Sequence, residues 1–295
     1  MELQWPLILF TSFLAASAGL FATQCVYSLR GQGEKAQLPS LVVSAVFMVV
    51  GGIAVFLHLQ HWERIFNGFG HITSGITQEL IAVVLLAVVM VIYFVMLRKG
   101  EIKKPLAIVG IIISAVLVLV MGLSYLMAAH PTWDSVLQVL SLYGLAVAFG
   151  PGAFALIQAA SNKTEETTGE APENSLTSLL TLVGSAAGLV LTLAFIAAMS
   201  FGSTQLVSVG NYFDPNHPTT GMLTSDLYSP FATGTVGITI ASIVCAVVAL
   251  AFAVYGRKSG KWLVAGAGIA VFALAAGVLL RAVFFATGGS VFMFY

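Results

Sequence analysis

Ionisable side chains are scarce in this chain, and several of them fall within one short interval. His58-Leu59-Gln60-His61-Trp62-Glu63-Arg64-Ile65-Phe66-Asn67 precedes a glycine-rich turn, and Thr77-Gln78-Glu79 then opens the next apolar run. Three of the five histidines lie between His58 and His71. An imidazole with an ordinary pKa of about 6.5 accepts and passes on a proton near neutrality. A carboxylate partly withdrawn from water holds its proton more tightly than one in solution. A histidine and a carboxylate at one membrane boundary therefore suit the oxidation of a quinol, which must lose protons from its ring hydroxyls. They suit a proton-coupled transporter equally well.

The elements that must position these groups follow from composition. Hydrophobic residues make up 59% of the 295 positions and charged residues 8%, and the mean hydropathy is +0.99. A soluble globular domain does not have this composition. A bilayer core about 30 Å thick takes roughly 20 apolar residues per helix, and the chain supplies such runs near 6–29, 41–58, 79–97, 105–128, 135–160, 176–199, 233–255 and 262–286. The runs are continuous rather than alternating, which excludes a β-barrel. The expected fold is an all-α integral membrane protein, eight transmembrane helices in one bundle forming a single domain over 1–295. The first run has no basic residue before it and is a retained helix rather than a cleaved signal peptide. At about 1.5 Å per residue, His58 lies some 26 Å along the second span and Arg281 some 28 Å along the eighth. Glu79 stands at the mouth of the third, so a histidine, a carboxylate and Arg64 and Arg281 share one depth. Arg281 is open to two readings, a structural group (snorkelling at the interface or an ion pair) or part of a pathway or site.

Ten of the twelve lysines and arginines fall in the loops after spans one, three, five and seven. The positive-inside rule places that face in the cytoplasm and both termini, with the His58–Glu79 junction, on the extracytoplasmic side. Trp5, Trp62, Trp133 and Trp262 all fall at span ends, the depth indoles favour. The Gly184-Ser185-Ala186-Ala187-Gly188 stretch permits close helix approach, and Gly150-Pro151-Gly152 predicts a kink in the fifth span. Cys25 and Cys245 stand alone in separate spans and are packing residues. All five histidines map to one edge of the bundle; no haem and no metal site is expected, because a bis-histidine haem needs facing ligands inside it. His61, His71, His130 and His217 are expected to be exposed interfacial residues. The stretch from about 200 to 232 is the longest connection and carries Tyr212, Phe213, Tyr228 and Phe231. It is either a docking surface or a mobile loop. No basic stripe points to nucleic acid.

Several of these motifs are those of a known family. The opening Trp5-Pro6-Leu7-Ile8-Leu9-Phe10 matches a Trp-Pro-Leu-x-x-Phe start. His58, Leu59, Arg64, Phe66 and Asn67 match a His-Leu-Gly-x-Pro-x-Arg-Ala-Phe-Asn signature, with Gln60 in place of its glycine and Trp62 in place of its proline. Thr77-Gln78-Glu79-Leu80, Pro131-Thr132-Trp133, Gly150-Pro151 and the Arg281-Ala282-Val283-Phe284-Phe285 end are also similar. The chain thus resembles the membrane anchor subunit of DMSO reductase, over essentially its whole length. The resemblance implies menaquinol as bound substrate, oxidised near the outer face in anaerobic respiration, with His58 and Glu79 as quinol-binding and proton-transfer residues. Arg64, Asn67 and Arg281 stand as their supports. It also implies a four-cluster ferredoxin-like iron–sulfur subunit and a molybdopterin catalytic subunit as partners, which carry the molybdopterin and iron–sulfur clusters. The setting is the cytoplasmic membrane of a bacterium. The alternatives are a proton-coupled solute transporter and a quinone-reactive anchor of the polysulfide- or nitrite-reductase type.

Overall fold

The computed structural model describes residues 4–58, 67, 70–100, 102–162, 173–209 and 225–290. Within them the chain forms α1 (Trp5–Leu29), α2 (Glu34–His58), α3 (Gly75–Arg98), α4 (Lys104–Leu123), α5 (Val136–Asn162), α6 (Glu173–Ser203), a one-turn α7 (Ser225–Tyr228), α8 (Val236–Ser259) and α9 (Trp262–Ala286). All except α7 are long and apolar enough to cross a membrane, and no strand occurs among the described residues. The protein is a multi-pass membrane protein with eight spans.

Helices α1 and α5 form the centre, with 72% of their spanning windows buried against 28–39% in the other six. Helix α1 packs on α2, α4 and α5, while α5 packs on α6 and α9. Helix α3 lies outside α4, and α8 bridges α6 and α9. The peripheral helices turn Val46, Val49 and Ile53, Val84, Val88 and Val91, and Ile108 and Ile112 outward. Apolar surface of this extent suits lipid and not water.

Small residues decide where the central helices touch. A Cβ on Gly19 of α1 would strike the Ala146 carbonyl of α5, and one on Gly150 would strike the Gly19 carbonyl. Gly152 meets Ile269 of α9 in the same way, and Gly184 and Gly188 of α6 meet Val147 and Gly144 of α5. The small-residue stretch at 184–188 is thus a packing seam, as its spacing predicts. Helix α5 continues through Pro151 without interruption, and the glycines flanking it serve the crossings with α1 and α9.

Two helix limits depart from the hydropathy pattern. Helix α2 starts at Glu34 instead of residue 41, with Pro39 inside its second turn. Gly31 and Gly33 turn the chain there at φ 64° and 69°, and the polar start of α2 is held inside the protein: the Tyr93 hydroxyl donates to Gln37 Oε1 at 2.9 Å. Helix α4 ends at Leu123 instead of continuing to residue 128. Ser124 and Tyr125 therefore leave the helix and turn toward α3 and α9, a displacement that builds the site described next. Cys25 is buried and Cys245 half-buried, both as free thiols. Cys25 abuts Gly110 of α4.

Candidate functional site

The polar groups converge at the end of the bundle that carries both termini, opposite the end bearing Arg30, Arg98, Lys104 and Arg257. Glu79 lies one turn inside α3 and is 7% exposed. Gly75 occupies the same face one turn earlier, and a Cβ there would collide with Ser124. That close approach brings α3 against the end of α4, where the Ser124 hydroxyl donates to Glu79 Oε1. The Met121 carbonyl, at 3.0 Å, is an alternative acceptor for the same hydroxyl.

Arg281 is the largest fully buried side chain in the described structure, at 1% exposure. Its Nε donates to Thr11 Oγ1 of α1 at 3.2 Å, while Nη1 and Nη2 have no hydrogen-bond partner. Burial at this level decides against a snorkelling group. The guanidinium carbon lies 4.3 Å from the Phe284 ring centre, 5.4 Å from Tyr125 and 5.8 Å from Phe285, so aromatic faces supply part of the stabilisation that water would give. Tyr125, which follows the Ser124 that holds Glu79, links the carboxylate to this guanidinium.

The connection from α4 to α5 is fixed to the end of α9. Thr132 Oγ1 donates to the Thr287 carbonyl at 2.7 Å, and Trp133 Nε1 donates to the Phe284 carbonyl at 2.7 Å. Trp133 also stacks on Phe284 with centroids 4.6 Å apart and planes at 21°, and His130 stacks on Trp133 at 4.6 Å and 28°. His130, Trp133, Phe284 and the Arg281 guanidinium thus form one continuous stack. His130 is half-buried, with Nδ1 enclosed and unpartnered; this corrects the expectation of an exposed interfacial histidine, since the 124–135 connection folds inward instead of lying along the headgroups. Burial first, and then the Glu79 carboxylate, push the Tyr125 phenol above its ordinary range, with Arg281 opposing. Tyr125 therefore stays protonated at neutral pH, a neutral donor beside two ionisable groups.

Of the residues singled out from sequence, the structure brings Glu79 and Arg281 together. His58 is the last residue of α2, but its side chain lies outside the described residues, as do His61, Trp62, Arg64 and His217. Asn67 is described and exposed, and His71 is exposed as its position predicts. Residues 210–224, with Tyr212 and Phe213 in the long connection, also lie outside the described residues. Sequence reasoning missed Thr11, Ser124, Tyr125 and Trp133. Only Trp133 gave a signal, as an indole at a span end; Ser124 and Tyr125 were hidden in an apolar run assigned to α4. An apolar cavity of about 410 Å³ between α1, α4, α5 and α6 is lined by Gly19, Thr23, Ser114 and Tyr143 among others, and by none of the Glu79 cluster.

A buried carboxylate and a buried guanidinium thus lie together at one end of an eight-span bundle. No curated protein matches the chain at a significant level. The sequence profile of the DMSO reductase anchor subunit (DmsC) family matches residues 1–287, and the chain belongs to that family.

Proposed function

We propose that this anchor subunit binds menaquinol at the termini end of the bundle, on the extracytoplasmic side of a bacterial cytoplasmic membrane, and oxidises it for the enzyme to which it is attached. An anchor subunit is one member of a complex, and the catalytic and iron–sulfur subunits of that complex are the destination of the electrons. The observation that carries the proposal is the burial of Glu79 on Ser124 opposite Arg281, four chain segments converging at the depth where a quinol ring would sit.

Menaquinol loses two protons and two electrons on oxidation. The Glu79 carboxylate accepts one hydroxyl proton and His58, at the end of α2, accepts the other. Both pass them to the extracytoplasmic side. Ser124 holds one carboxylate oxygen, leaving the second for substrate. Arg64 and Asn67, on the chain between α2 and α3, support this end of the site. The electrons leave one at a time to a four-cluster iron–sulfur subunit docked on the same side, and from it to a molybdopterin subunit that reduces the terminal acceptor. Electrons and protons leave toward the same side, so the step itself builds no membrane potential.

Loss of a general base costs typically about 10²–10⁴ in rate. Glu79→Gln and His58→Leu should each lower menaquinol-driven turnover by that order in membranes, while turnover driven by a reduced dye feeding the soluble subunits stays at the unsubstituted level. Undiminished menaquinol turnover in both variants, at normal subunit content, would place the site elsewhere. A proton-coupled transporter would purify without iron–sulfur absorbance and without soluble subunits.

A further inference from the structure

We infer that Arg281 is a substrate-contacting residue, and that the space between its terminal nitrogens and the Glu79 carboxylate is the seat of one ring oxygen of a naphthoquinol. The inference rests on the quinol reading above and assigns to Arg281 a role beyond that of counter-ion.

The starting point is an imbalance of donors. A guanidinium carries five N–H groups in a planar fork. Thr11 takes the one on Nε, and the aromatic ring of Phe284 lies 4.3 Å from the guanidinium carbon. The four N–H groups on Nη1 and Nη2 have no partner, although the side chain is 1% exposed. Buried donors of this kind are nearly always satisfied, and charged ones most of all. Glu79 is joined to this group through the 124–125 turn: Ser124 holds the carboxylate, and the Tyr125 ring centre lies 5.4 Å from the guanidinium carbon. Glu79 forms no hydrogen bond with Arg281, and its Oε1 is taken by Ser124.

A built pair of opposite charges that do not bond to each other calls for a group between them that accepts from one and donates to the other. A quinol hydroxyl does both. Its O–H donates to Glu79, and its oxygen lone pairs accept from Arg281. When the O–H bond breaks and the proton moves to Glu79, the ring oxygen becomes an anion, and the unpartnered N–H groups of Arg281 are free to hold it. The two electrons then leave for the iron–sulfur clusters of the partner subunit, and the second hydroxyl proton is released to the extracytoplasmic side. Thr11 and the stack of His130, Trp133 and Phe284 fix the fork in place, so no reorganisation is needed as the charge develops.

The test uses the whole membrane-bound complex and two probes, 2-hydroxy-1,4-naphthoquinone, anionic at neutral pH, and menadione, its neutral analogue. Arg281→Gln should raise the dissociation constant of the anionic probe at least tenfold and that of menadione less. It should lower menaquinol kcat/KM about a hundredfold and leave dye-driven turnover unchanged. Arg281→Lys, which keeps the charge and loses the fork, should fall between. If Arg281→Gln fails to assemble, Arg281→Lys decides by the same two affinities. Independently of any variant, the carbonyl stretch of menadione bound to the unsubstituted complex should lie below its value in hydrocarbon solvent. Affinity for the anionic probe equal to that of the unsubstituted complex, or an unshifted carbonyl band, would overturn the inference and leave internal water as the occupant of the gap. Loss of quinol turnover in Glu79→Gln and His58→Leu with no effect of Arg281 overturns this inference alone, whereas full turnover in those two variants overturns the quinol reading itself.

Discussion

At the scale of single residues, the site depends on side chains whose roles come from their neighbours and not from their type. Trp133 illustrates this. Its indole could stand exposed at a span end, as Trp5 does at 50% exposure. Instead it donates to the Phe284 carbonyl and stacks on the Phe284 ring, which in turn lies under Arg281. Trp133→Phe keeps an aromatic ring and removes the N–H; the Phe284 carbonyl retains the Thr287 hydroxyl as donor at 3.1 Å, so the loss is one net hydrogen bond, about 0.5–1.5 kcal/mol. The purified complex should melt at a lower temperature than the unsubstituted one, while Trp5→Phe should leave the melting temperature nearly unchanged. Equal melting temperatures for the two variants would show that the hydrogen bond to Phe284 does not hold the connection.

At the scale of elements, the bundle is set by where glycine lets two backbones meet. Gly19 and Gly52 are alike in sequence, each a small residue inside an apolar run. Only Gly19 faces another helix: a side chain there meets the Ala146 backbone of α5, whereas at Gly52 it meets nothing. Overpacking costs about 1–3 kcal/mol and more where backbone must move. Gly19→Leu should therefore part α1 from α5 and lower the amount of intact subunit in membranes, as read by protease resistance in native lipid. Gly52→Leu should be tolerated. A Gly19→Leu protein as resistant as the unsubstituted one would mean that α1 and α5 do not cross at this point.

At the scale of the whole molecule, the proposed function depends on sidedness, because in that reading the partners dock where the electrons emerge. The charge bias of the loops predicts the basic end in the cytoplasm and the Glu79 end outside. An alkaline phosphatase fused after Tyr295 should be active, and a fluorescent protein that matures only in the cytoplasm should be dark at the same position. The opposite pattern, with intact helices, would invert the bundle and move the site with it. The same alternation of spans places Glu79, Arg281 and the 124–135 connection at one end, so a single fusion experiment reports on all three.

The sequence by itself determined the eight spans, because each must satisfy its backbone internally and show lipid an apolar surface, and that requirement is written as runs of apolar residues. It determined the depth of Glu79 and Arg281, since a fixed rise per residue turns position into height. Family membership was also legible, from Trp5-Pro6-Leu7 and the His58 to Asn67 motif. Tertiary structure decided which groups at that depth meet. Height along a helix says nothing of rotation about its axis or of which helices are neighbours, so the sequence could not choose between a snorkelling Arg281 and a buried one. Nor could it place Ser124 and Tyr125. Their apolar surroundings continue the α4 pattern, and where the helix ends at Leu123 the next residue, Ser124, meets Gly75 and Glu79 of α3, a contact between distant parts of the chain. Hydropathy is a local property, whereas the pairing of a carboxylate on α3 with a guanidinium on α9 depends on packing between segments some two hundred residues apart.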